Sequence, residues 1–211
     1  MLFRASDSEY RIDRSDISDK YNDSDDTVDI NTDYDNIFDD KEYHVRLADL
    51  GTCIKYKKKM TKFDIQTRYY KSPEILLHLN YNQNCDIWAL GCTTYELLTG
   101  KILFDPEGNS MTNKVRHHLY DIETKIGPIP VHMKYSSPMN DIYYQSDGKI
   151  KGIAKYISNP LLKSLEYLRE TEKDENLLLN IIDFIYTCLK IDPTERPNVE
   201  KCLQHPVFNM V

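Results

Sequence analysis

Asp49, in the run Leu47-Ala48-Asp49-Leu50-Gly51, is the residue of this 211-residue chain best placed for chemistry. A carboxylate held just after a strand and before a glycine turn can ligate Mg²⁺ on nucleotide phosphates. Taken alone, a strand ending in Asp-x-Gly is usually only a turn. Three further runs follow it in order: Gln66-Thr67-Arg68-Tyr69-Tyr70-Lys71-Ser72-Pro73-Glu74, then Asp86-Ile87-Trp88-Ala89-Leu90-Gly91-Cys92, then Asp192-Pro193-Thr194-Glu195-Arg196-Pro197. They hold carboxylates and cations far apart in sequence, so any work they do together needs a fold that closes those gaps.

The elements that must do this are legible in outline. His44-Val45-Arg46-Leu47-Ala48 alternates polar and apolar residues and predicts a short strand that ends at the Gly51 turn. Ser72-Pro73-Glu74 opens a short helix, with proline in the first turn. Residues 86–99 predict a helix that is apolar nearly all round, the signature of an element in the middle of a core, and Gly100 is placed to stop it. Residues 111–126 predict another helix, and residues 127–160 read as mostly irregular. Leu178, Ile181, Ile182, Ile185, Cys188 and Leu189 recur at helical spacing on one face. Asp192-Pro193 ends that helix, and a last helix starts at Pro197. The fold class is mainly α, with a short β-hairpin at the start of the ordered part.

Composition sets the boundaries. Residues 1–40 hold twelve Asp and one Glu against four Lys or Arg, a net of −9, whereas the remaining residues carry +2 of the overall −7. That acidic segment has only isolated apolar residues and is expected to be a disordered tail. Its residues 23–29 lack the Gly and Glu of a calcium loop, with Val28 and Tyr34 in those places, so they read as a solvated acidic run. The cysteines, Cys53, Cys85, Cys92, Cys188 and Cys202, form no C-x-x-C pair, which speaks against a zinc knuckle or disulfide framework and for a reducing compartment. No apolar run is long enough to span a membrane, and no G-x-G-x-x-G or G-x-x-x-x-G-K loop is present. His117-His118 has no ligand partner at metal spacing and is expected at the surface, and residues 55–59 read as a solvated basic loop.

The four runs, in this order, resemble the C-terminal half of a eukaryotic-type protein kinase, over about residues 44–208. D-L-G looks like the D-F-G motif, S-P-E like A-P-E, D-I-W-A-L-G-C like the D-x-W-x-x-G helix, and D-P-x-x-R-P like the late arginine motif. The Q-T-R wording and the D-L-G variant are most similar to kinases of SR (Arg-Ser-rich) proteins, within the cyclin-dependent/MAP kinase group. Leu103-Phe104-Asp105-Pro106 and Gly127-Pro128-Ile129-Pro130 fit the same subgroup.

The resemblance implies the helical large lobe of the kinase fold, with an acidic tail over residues 1–42 similar to the spacer of SR-protein kinases and a partial kinase domain over 43–209. It implies Asp49 as the ligand of Mg²⁺ and ATP phosphates, with Leu50 packing beneath the site and Gly51 turning the chain. It makes Thr67 a supporting contact to the catalytic groups, and Arg68 and Lys71 readers of the activation segment or substrate. Glu74 and Arg196 become a buried ion pair, Asp86 an acceptor of backbone N–H groups, and Trp88 and Gly91 packing positions. His205 becomes a packing residue.

The resemblance also exposes what these 211 residues lack: a glycine-rich loop, a small-lobe lysine with its glutamate, and an H-R-D catalytic loop. Two functions are therefore expected to compete. One is a serine/threonine kinase part, transferring phosphoryl groups to proteins and active only with an upstream half, joined or supplied by a separate polypeptide. The other is a catalytically dead lobe that binds basic, Arg-Ser-rich peptides or a partner kinase. A poorly folding, non-functional fragment is the blander third. Neither nucleic acid nor membrane is an expected partner, and the expected location is intracellular, cytoplasmic or nuclear.

Overall fold

The computed structural model describes residues 51, 53–54, 65–166, 168–171 and 174–209. The expected strand and hairpin, the acidic tail, Asp49, Leu50 and the basic residues 55–59 lie outside the described residues. Within them the chain is mostly helical, as the sequence predicts.

A 3₁₀ turn, Arg68–Tyr70, leads into α1 (Pro73–Leu76), then α2 (Asn84–Thr99) and α3 (Met111–Lys125). Short helices α4 (Val131–Ser136) and α5 (Asn140–Tyr143) follow, then α6 (Leu161–Leu165), α7 (Leu168–Thr171), α8 (Glu175–Cys188) and α9 (Val199–Leu203), with a last 3₁₀ turn at Pro206–Asn209. Helix starts carry the side chains that satisfy orphan N–H groups: Ser110 accepts from the Asn113 N–H at 3.2 Å, Asp174 from Leu177 at 2.9 Å and Asn198 from Lys201 at 3.0 Å. Gly100 ends α2 in the left-handed conformation (φ 68°), the role expected of it.

The core forms where α2 meets α8. Trp88, Cys92 and Tyr95 pack with Leu178, Ile182, Ile185 and Leu189 in one buried cluster. Gly91 makes the approach possible, because a Cβ there would stand 2.8 Å from the Cys188 Cβ. The Trp88 ring stacks on Phe104 at 5.7 Å, and Phe104 in turn meets His118 at 5.2 Å.

Three expectations need correction. α2 is not enclosed on every side: Leu90 is 41% and Leu97 83% exposed, so a strip of this apolar helix faces away from α8. His118 is not at the surface but fully buried. It lies three residues after Val115 and four before Ile122, which puts it on the buried stripe of α3 with Leu119. Residues 127–160 are less irregular than expected, because side chains tie α4 and α5 down. Lys134 pairs with Glu123 of α3 at 2.6 Å, Arg116 donates twice to the Ile142 carbonyl, and the buried Ser137 hydroxyl donates to the Leu77 carbonyl at 2.7 Å. Among the described residues, no helix is long and apolar enough to cross a membrane.

Candidate functional site

The segment from Ile65 to Glu74 is where sequence and structure converge. Ile65 is buried and anchors its start. Gln66 follows with φ 69°, a left-handed conformation that few non-glycine residues adopt. Its side chain holds the strained backbone in place: Nε2 donates to the Cys85 carbonyl at 2.7 Å, and Oε1 accepts from the Ser72 N–H at 2.9 Å. One amide thus links the start of α2 to the start of α1, with residues 67–71 looped between.

Thr67 lies at the top of that loop, extended and exposed, its carbonyl accepting the Tyr70 N–H at 3.0 Å. Arg68 is half-buried against the Met111 sulfur, and its Nη1 is buried with no hydrogen-bond partner among the described residues. Lys71 is buried and engaged with its surroundings. Tyr70 donates its hydroxyl to Glu96 of α2 at 2.5 Å, and this bond, with burial, pushes the phenol up to about 12.

The segment ends in a buried ion pair. Arg196 faces Glu74 with both guanidinium nitrogens, Nη1 to Oε1 at 2.7 Å and Nη2 to Oε2 at 2.5 Å, and neither side chain is more than 1% exposed. The remaining N–H groups are also used: Nε donates to the Lys190 carbonyl, Nη1 to Asn84 and Nη2 to Ile191. All five donors of the guanidinium therefore have acceptors, the condition under which a charge tolerates burial. The Trp88 ring lies 5.2 Å from the guanidinium carbon and completes the enclosure. Asn84 fixes the turn that carries Arg196, donating to the Pro193 carbonyl at 3.0 Å.

The structure thus brings together Glu74, Arg196 and Trp88, which lie far apart in sequence, and places Gly91 against α8. Asp86 is half-buried in the first turn of α2 and engaged there. Gly51 is exposed. Asp49 and Leu50 lie outside the described residues. His205 is packed as expected, edge-on to Phe184 and within 3.1 Å of the Asp183 carboxylate. Among the described residues, no group of three or more His, Cys, Asp or Glu side chains could hold a metal ion. A cavity of about 480 Å³, between Val131 and Lys151, is lined by none of the residues the sequence singles out.

Gln66 is the residue that sequence reasoning missed. It stands in a quoted run, yet nothing in an amide's identity signals a positive φ. Gln66→Ala removes both bridging bonds, takes from the Ser72 N–H its Gln66 acceptor, and keeps the backbone strain. It is expected to lower the unfolding free energy by about 2 kcal/mol and to speed hydrogen exchange at residues 66–72 before the rest. Exchange unchanged there would show that the loop holds its shape without the amide.

The arrangement is an anchor: an exposed threonine on a loop pinned at one end by Gln66 and at the other by Glu74. It can present the loop rigidly, but it contains no nucleophile paired with a base. Comparison with known proteins supplies the context. The family model described as the protein kinase domain matches residues 32–208. L205 of Acanthamoeba polyphaga mimivirus, a serine/threonine-protein kinase by assignment, is 38% identical over 83% of this chain and 33% of its own length. The serine/threonine-protein kinase SKY1 of Saccharomyces cerevisiae is 34% identical over 77% of the chain and 21% of its own length. The serine/threonine-protein kinase AFC3 of Arabidopsis thaliana is 30% identical over 80% and 42%. The chain thus spans less than half the length of each of these relatives.

Proposed function

Because the chain belongs to the protein kinase domain family, we propose that it is the large-lobe part of a serine/threonine kinase, taken from the D-L-G motif onward. Its substrates are proteins, of the Arg-Ser-rich class that SR-protein kinases phosphorylate. The observation that carries this reading is the pinned loop: Thr67 stands exposed between the Gln66 bridge and the two-bond Arg196 clamp on Glu74. A loop held this way needs no further ordering to present a substrate hydroxyl, and phosphoryl transfer depends on positioning and electrostatics.

Asp49 is the residue proposed to hold Mg²⁺, which neutralises charge on the ATP phosphates. The general base is absent from these 211 residues, so the reaction needs an upstream segment carrying H-R-D, the glycine-rich loop and the small-lobe lysine.

The test joins or mixes the chain with an upstream kinase half bearing H-R-D and measures phosphate transfer from Mg²⁺-ATP to an Arg-Ser peptide. Transfer is expected only when both halves are present. Asp49→Ala should abolish it while leaving the circular dichroism spectrum unchanged. No transfer from a folded, assembled pair removes the kinase reading. The dead-lobe reading then predicts salt-sensitive binding of the same peptide to the chain alone.

A further inference from the structure

The cavity of about 480 Å³ between Val131 and Lys151 has walls of uneven charge. It opens between α4 and the short hairpin that follows α5. Tyr144 and Ile150 pair there as an antiparallel bridge, the Gly148 N–H donates to the Gln145 carbonyl at 2.9 Å, and the Lys151 N–H donates to the Tyr143 carbonyl at 2.8 Å. These bonds tie the Lys151 backbone to the stretch that carries Tyr144 before any ligand arrives. Four of the lining side chains, Tyr144, Lys134, Lys151 and Asn140, are buried or half-buried, and none of the four is an acid. The two carboxylates of the lining, Asp141 and Asp147, are exposed. The depth therefore offers two ammoniums, a phenol and an amide, and the rim offers negative charge.

The donors in the depth are not all spent. Tyr144 is 3% exposed, and its hydroxyl is buried with no hydrogen-bond partner among the described residues. Burial pushes its pKa up, so it stays a neutral phenol with a proton to donate. An unmatched buried hydroxyl is costly, and a ligand oxygen relieves that cost. Lys151 spends one N–H on the Asp141 carbonyl at 2.5 Å and has two more. Lys134 is committed to Glu123 at 2.6 Å, which cancels its charge, and to the Gly148 carbonyl at 3.2 Å, so it shapes the wall. At the rim, Lys149 holds Asp147 at 3.0 Å, but the two side chains are 66% and 49% exposed. Water screens such a pair, and a guanidinium competes for its carboxylate.

We propose that this cavity binds phosphorylated Arg-Ser segments, the product of the transfer proposed above: a phosphoserine enters the depth, onto Tyr144 and Lys151, and its neighbouring arginines meet Asp141 and Asp147 at the rim. The choice of peptide rests on that Arg-Ser reading, whereas the charge pattern of the cavity does not. A phosphoserine brings nearly two negative charges and three acceptor oxygens, which suit the unmatched phenol and the remaining ammonium N–H groups. A bare anion meets two carboxylates on its way in. An unphosphorylated Arg-Ser segment has no anion to place in the depth. A segment that alternates phosphate and guanidinium satisfies both zones at once. The volume lies within the range of ligand pockets, about 300–1,000 Å³. None of the lining residues belongs to the Thr67 loop or to the clamp, so this site is separate from the one that presents the substrate hydroxyl.

The experiment titrates the full chain, without ATP, into a fluorescein-labelled Arg-Ser octapeptide with every serine phosphorylated, and into its unphosphorylated twin, reading anisotropy. The phosphopeptide is expected to bind at least about tenfold tighter than its twin. Tyr144→Phe, which keeps the ring, and Lys151→Gln should each weaken it roughly tenfold, and Asp141→Asn by less. Lys163→Gln, which removes the same charge from an exposed position of α6, should leave it unchanged. Lys151→Gln, at a half-buried position, keeps the test decisive if Tyr144→Phe does not fold. The proposal is overturned if the phosphopeptide does not bind, if its affinity matches that of its twin, if Lys163→Gln weakens it as much as Lys151→Gln does, or if the cavity variants leave it unchanged. Displacement by inorganic phosphate at the peptide's own concentration also overturns it, because the cavity then takes a simple anion and not a segment. Phosphate transfer by the assembled halves without phosphopeptide binding removes this site alone, and binding without transfer removes the kinase reading alone.

Discussion

Arg196→Ala lowers the unfolding free energy by about 3–5 kcal/mol, seen as a fall in the urea midpoint with little change in slope. The size follows from what alanine leaves behind. Glu74 is fully buried, and its two oxygens lose the Arg196 N–H groups that donate to them. The carbonyls of Lys190, Asn84 and Ile191 each lose an N–H. The loss is thus less the worth of an ion pair than the cost of stranding its partner. A second variant separates the two. Glu74→Leu combined with Arg196→Met removes both charges, keeps apolar volume, and is expected to recover part of the stability lost by Arg196→Ala, since paired removal avoids an unmatched buried charge. If Arg196→Ala costs less than about 1 kcal/mol, the pair behaves as a solvent-screened surface bridge, contrary to its burial.

How far the sequence carries the reader depends on which groups do the work. Glu74, Trp88 and Arg196 are legible because each is a distinctive side chain in a distinctive run. α2 is legible from its density of apolar residues and from Gly100, and α8 from its single apolar face. The clamp's other acceptors are not legible, because they are backbone carbonyls and every residue has one. Gln66 is hidden for a related reason: its importance lies in a backbone angle that tertiary contacts impose. The exposure of Leu90 and Leu97 could not be read from a helix that is apolar all round, since only the neighbours decide which side is covered. In residues 127–160 the propensity is weak, and the helices exist because Lys134, Arg116 and Ser137 make long-range bonds. His118 is a different kind of miss. Its spacing from Val115 and Ile122 marks it as part of the buried stripe of α3, whereas the surface expectation follows only from the lack of a ligand partner at metal spacing.

His118 makes the chain's stability fall as the solution is acidified, by about 2–3 kcal/mol between pH 6.5 and 4.5. The ring is fully buried against Phe104, and neither nitrogen has a hydrogen-bond partner among the described residues. Burial lowers its pKa from the ordinary 6.5 to about 3, helped by the charges of Arg68, Lys125 and Lys71. No acid is among the described groups that shift it. The sign follows directly. Between pH 6.5 and about 3 the unfolded chain binds a proton that the folded chain refuses, so stability is fully present above 6.5 and drains away as pH falls. His118→Leu removes the titrating group and both unpartnered nitrogens while keeping apolar bulk, so its stability at pH 7 should change by less than about 1 kcal/mol. Its urea midpoint should also be nearly flat across the window. An equal slope in wild type and variant would place the acid sensitivity elsewhere and remove His118 from the account. A steep wild type beside a flat variant would mean that the histidine the sequence assigns to the surface limits the acid range of the whole fold.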